Sequence, residues 1–124
     1  MTKIVKKSFD APDEMRCFDK SKIEVVELGN VEAIRVTNQP GWRWSKCVKP
    51  IVGTDSCQVS HVIHVLSGRI KVRMDDGSEA EFGAGDVGIV PPGHDAWIVG
   101  NELFMSIDFP NCRLMTPSSE RPIG

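Results

Sequence analysis

Three histidines and four cysteines carry most of the metal-binding and nucleophilic chemistry open to this 124-residue chain. Cys57 and His61 are four apart, and in an unbroken extended strand residues 57, 59, 61 and 63 point to one face. His64 has the opposite parity and is expected to face outward. A thiolate grouped with imidazoles, as Cys57, His61 and His94 would be, suits zinc, iron, nickel or copper better than magnesium or calcium. His94 and Asp95 follow the turn Pro91–Pro92–Gly93, a place where binding residues gather, although a local Asp95 turn bond and a solvated His94 explain them too. Trp42 and Trp44 share a face if extended; they either line a pocket, with Trp44 the candidate contact, or pack beneath its rim. Arg43 and Lys46 either neutralise an acidic ligand or belong to a solvated face.

Other chemistries find little support. No Gly-x-Ser-x-Gly is present, and Ser60 points away from the face of His61. The glycines from Gly83 to Gly88 follow a strand pattern without opening a helix, as a phosphate-cradling loop requires. A formal net charge of -2 without long runs of one sign gives no reason to expect nucleic acid or an anionic membrane as a partner. No apolar stretch approaches the roughly 20 residues needed to span a bilayer, and MTKIVKKSFD lacks the apolar region of a secretory signal. A cytoplasmic location is therefore expected. Cys17, Cys47, Cys57 and Cys112 are scattered without a Cys-x-x-Cys pair, which favours reduced thiols.

The elements that must position these residues read as short strands. Lys22–Leu28 and Val31–Thr37 flank Gly29–Asn30, a strong hairpin signal. After Pro50 and Gly53 come Val59–Leu66, Gly68, and Arg69–Met74, where Ile70, Val72 and Met74 alternate with Arg69, Lys71 and Arg73. The turn Asp75–Ser78 leads into Glu79–Phe82, and Val87–Val90, Ala96–Val99 and Leu103–Phe109 complete the set. Such strands between regularly spaced Gly/Pro turns predict a sandwich or closed barrel. Residues 1–20 form an N-terminal extension, with a loop or short helix around Asp13–Arg16; 21–112 form the main domain and 113–124 a tail expected to be loop or disordered.

The run His61–Gly68, followed after one hairpin by Gly85–Asp86 and Pro91–Pro92–Gly93, resembles the two linked motifs of the cupin superfamily over about residues 41 to 109. The resemblance implies an all-β, antiparallel jelly-roll barrel. It also implies a departure from the family's usual metal ligands. Counting back from Gly68, the usual Glu position is His61, and the usual paired histidines fall near Asp55 and Cys57. In the second motif the His position falls on Ala96 if the loop has its usual length. It falls on His94 if the loop is two residues shorter, the alignment that keeps the Gly100–Asn101–Glu102 turn in register.

Two readings follow. In one, the chain is a cupin that binds a small polar or carboxylated molecule and holds one divalent transition metal through His61, His94 and Cys57, as an oxygenase, isomerase or decarboxylase. In the other it binds no metal and is a non-catalytic binding or sensing module. Fold alone does not choose between them. Small cupins commonly pair, so a homodimer is expected, with the Ile/Val-rich Lys22–Leu28 as the pairing edge.

Overall fold

The computed structural model describes residues 3–111 and contains nine strands in two antiparallel sheets with two short helices. The expected tail therefore lies outside the described residues, as does Cys112. Strands β1 (Glu14–Phe18), β2 (Ser21–Glu27) and β3 (Glu32–Asn38) continue through β9 (Phe104–Asp108) and β4 (His61–Ser67) to β7 (Val87–Val90). The second sheet places β5 (Arg69–Met74) between β6 (Glu79–Gly83) and β8 (His94–Ile98). This is the all-β architecture that the strand pattern predicts.

Alternation sets the facing of each strand. Ile63 and Val65 of β4 are buried while His64 and Leu66 are exposed; Ile70 and Val72 of β5 are buried between exposed or half-buried charges. In β8 the buried positions are His94, Ala96 and Ile98, and in β9 they are Phe104, Ser106 and Asp108. The two sheets turn these faces toward each other and line a cavity of about 410 Å³. Gly68 joins β4 to β5 at φ 76°, where a Cβ would meet Leu103 O and Phe104 Cα at 2.8 Å. Only glycine combines that backbone conformation with so close an approach to β9.

Three local expectations are corrected. Residues 14–18 form strand β1, paired with β2 from Glu14↔Val25 to Phe18↔Ser21, rather than a short helix. Lys22–Leu28 is consequently flanked on both sides, by β1 and β3, and is no edge; β1 and β7 bound the six-stranded sheet. Third, Trp42 lies in a turn and Trp44 opens helix α1 (Trp44–Cys47), which runs into α2 (Lys49–Val52), instead of both lying on a strand. Among the described residues no helix is long and apolar enough to cross a membrane.

Candidate functional site

His61 opens β4 and His94 opens β8, so the two imidazoles enter the same end of the space between the sheets from opposite sheets. Their ring centroids are 5.2 Å apart with planes at 69°. Cys57 reaches them without the unbroken strand that parity alone requires. Residues 58–60 are irregular, and Cys57 is held instead by an isolated antiparallel bridge to His94. In that bridge Cys57 N–H donates to His94 O at 2.7 Å, and Gly93 N–H donates to Cys57 O at 2.7 Å.

One donor atom from each of Cys57, His61 and His94 lies within 4.8 Å of the other two. Which ring nitrogen each histidine offers follows from its other bond. His94 Nδ1–H donates to Pro91 O at 2.7 Å, which leaves Nε2 free. His61 Nδ1–H donates to Asp108 Oδ2 at 2.5 Å, which turns Nε2 toward Cys57 Sγ, 3.8 Å away. A histidine whose far nitrogen is committed to a carboxylate or carbonyl is the usual arrangement around a metal.

Electrostatics reinforce the grouping. Burial alone would raise the Cys57 thiol, but its surroundings, the hydrogen bond from His61 foremost, outweigh it and bring the thiol down to about 6. Burial would likewise lower His61, yet bonds to Asp108 and Cys57 raise it to about 9. Near neutral pH the pair is therefore thiolate and imidazolium, with Nε2–H donating to sulfur. Asp108 supports that positive charge from a buried position.

The question of whether His94 or Ala96 occupies the second-motif position dissolves, because residues 94, 96 and 98 all face inward on β8. His94 lies at the strand's start, beside Cys57, and Ala96 one inward position further along. Trp44 lines the cavity with Trp42. Asp95 points to the other face of β8, where Oδ2 accepts from Arg43 Nε at 3.1 Å and Oδ1 from Ser45 N–H at 3.0 Å, the latter at the start of α1. Arg43 also covers the Trp97 ring at 4.5 Å and is thereby committed to structure. Asp55 is not among the cavity-lining residues. His64 faces solvent, as its parity predicts, and Cys17, Cys47 and Cys57 are free thiols.

Asp108 is the functional residue that the motif comparison misses. Its signal was present in Phe104–Met105–Ser106–Ile107–Asp108: alternation puts Ser106 and Asp108 on the same face as Phe104, and an acid on a core face needs a partner.

Residues 31–102 match the EutQ-like cupin domain. The chain belongs to that cupin family. No curated protein matches this cupin by sequence. Solved structures share its fold at low identity. A Rhizobium leguminosarum protein of unknown function superposes with a TM-score of 0.61 at 19% identity, covering 88% of this chain and 97% of its own. Lactobacillus farciminis oxalate decarboxylase, in a formate complex, gives 0.58 at 19% identity, covering 78% of this cupin, which spans only 30% of that longer chain. A putative ethanolamine utilization protein Q from Salmonella typhimurium gives 0.55 at 15% identity, with 77% and 76% covered.

Proposed function

We propose that this cupin holds one divalent transition metal through Cys57 Sγ, His61 Nε2 and His94 Nε2 and acts on a small organic molecule in the adjoining cavity. The observation that carries the reading is the convergence of three donor atoms within 4.8 Å, each histidine offering one nitrogen while the other is bonded elsewhere. One ion would be held by these three side chains. A thiolate with two imidazoles fits zinc, iron, nickel or copper.

Three protein donors leave a position for substrate or water, where such an ion polarises an oxygen or acidifies bound water. The chain's own residues supply the rest. Asp108 orients His61 and takes up the charge of its Nδ1–H. The Cys57–His94 bridge keeps sulfur and imidazole in register. The largely apolar wall, with Trp44, Ile63 and Val72, excludes water from a bound molecule. Oxygenase, isomerase and decarboxylase chemistry all fit this arrangement.

A second reading rests on the same contact. A thiolate beside an imidazolium is already neutralised, so the cavity would stand without metal as a non-catalytic binding or sensing module. Elemental analysis of untagged protein separates the two. Stoichiometric metal that disappears in both His61→Ala and His94→Ala is expected; substoichiometric metal indifferent to either change would leave the binding module.

Two further parts of the proposal concern setting and assembly. A free thiolate at the centre suits the reducing cytoplasm. Association as a homodimer would use edge strand β7, where Val87 and Ile89 are exposed, and a monomer mass by light scattering at micromolar concentration would refute it.

A further inference from the structure

Three buried side-chain polar atoms among the described residues have no hydrogen-bond partner: Asn38 Oδ1, Trp42 Nε1 and Asp108 Oδ1. An amide oxygen or indole N–H left unpaired away from water costs about 1–3 kcal/mol, so such atoms are rare and call for an explanation. All three belong to residues that line the cavity between the sheets. Asn38 and Asp108 are 2% exposed and Trp42 is 8% exposed, so bulk solvent does not satisfy them.

Their placement is not random within that wall. Asp108 stands with Cys57, His61 and His94 at one end. Asn38 ends β3 opposite Phe104, and Trp42 O accepts from Ile98 N–H at 3.0 Å. In the first sheet Asp108 and Phe104 are four residues apart on β9; in the second, His94 and Ile98 are four apart on β8. Each interval amounts to roughly 13 Å of strand. Asn38 and the Trp42 main chain are thus joined to the ends of β9 and β8 away from Asp108 and His94, and Val36, Ile70 and Val72 also line the cavity.

The chemistry of the far group is specific. Trp42 Nε1–H only donates, whereas the Asn38 amide both donates and accepts. Among the lining residues the lysine and arginine count is one, Arg16, whose guanidinium is held by Glu14 at 2.8 and 3.1 Å on β1. Among the described residues, therefore, no lysine or arginine lines the cavity beside Asn38 and Trp42 to balance an anion.

We infer that the cavity takes an elongated molecule with an apolar body and an uncharged donor–acceptor group, a hydroxyl or primary amide, which Asn38 and Trp42 bind while its other end meets the Cys57–His61–His94 centre. The inference rests on the reading that the cavity receives a small organic molecule, and it narrows that molecule from polar or carboxylated to mainly apolar with a neutral far end.

The test uses metal-free, full-length, ¹⁵N-labelled protein and three probes of one shape: 2-naphthol, naphthalene and 2-naphthoate. The expected result is that 2-naphthol binds about tenfold tighter than naphthalene or 2-naphthoate, the order of one to two hydrogen bonds to otherwise unpaired groups. With it, the Trp42 indole N–H resonance, identified by its loss in Trp42→Phe, moves downfield. Trp42→Phe and Asn38→Leu should each reduce the preference to within about threefold. Should Asn38→Leu fail to fold, Trp42→Phe keeps the ring and decides alone. Equal binding of naphthol and naphthalene, an unmoved Trp42 resonance, tighter binding of naphthoate, or no binding of any probe would each overturn the inference. Metal content measured on the same preparation before chelation is a separate readout, so failure of the metal centre and failure of this site are told apart.

Discussion

Asp108 Oδ2 accepts from His61 Nδ1–H at 2.5 Å, from a carboxylate that is 2% exposed and sits on the core face of the last strand. The acid decides which His61 nitrogen faces Cys57 and holds the imidazole protonated. Asp108→Asn substitutes a group of nearly the same shape that can no longer hold the charge. His61 is expected to titrate well below 9 in the metal-free variant, and metal affinity should fall by about 10- to 100-fold. An NMR titration of His61 and competition with a chromophoric chelator check both. An unchanged His61 titration would remove Asp108 from the account.

Metal binding must displace the proton on His61 Nε2. At pH 7.5 Cys57, at about 6, is already largely thiolate, while His61, at about 9, is largely protonated. Binding of zinc is therefore expected to release about one proton, from the histidine and not from the cysteine. Calorimetry in buffers of different ionisation enthalpy measures the number. Release of two would mean that the thiol is protonated in the metal-free state.

The thiolate should also show itself chemically. In metal-free protein, alkylation of Cys57 by iodoacetamide is expected to rise through an inflection near pH 6. In His61→Ala burial remains and the principal opposing bond is gone, so the inflection should move up toward or beyond the ordinary thiol value of about 8.5. Mass spectrometry of the labelled peptide separates Cys57 from Cys17, which is exposed, and Cys47. An inflection that stays near 6 in the variant would contradict the assignment.

Away from the site, Glu24 lies buried on β2, and its carboxylate accepts from Arg35 Nε at 2.8 Å and Nη2 at 2.9 Å, directly across from it on β3. The arginine holds the Glu24 carboxyl below its ordinary value despite burial. A depressed carboxylate contributes its stability above the unfolded-state value and loses it as pH falls through the folded-state value. Glu24→Gln should therefore cost about 1–3 kcal/mol at pH 7 and distinctly less near pH 3, as denaturant unfolding at the two values would show. A cost independent of pH would point to packing instead.

The fold was legible because its signals are local. Gly29–Asn30 closes the β2–β3 hairpin, and the alternation from Arg69 to Met74 gives β5 its two faces. The site was legible only in part. His61 and His94 follow from motif spacing, but parity brings Cys57 to them only if the strand is unbroken, and it arrives instead through backbone bonds to His94, a contact that links residues 37 positions apart. Asp108 and Asn38 sit at opposite ends of paired strands β9 and β3, and their shared place in the cavity wall comes from the packing of the sheets rather than from neighbours in sequence. The β1 strand was missed because its five residues are mostly exposed, so no apolar alternation marks them.

The bridge between Cys57 and His94 uses main-chain atoms alone. Two backbones locked together present whatever side chain stands at position 57 to the same point beside His94 and His61. The fold therefore separates the address of the third donor from its identity. Exchanging sulfur for nitrogen or oxygen at that position, as in Cys57→His or Cys57→Asp, should retune which ion the centre prefers while the sheets around it keep their register.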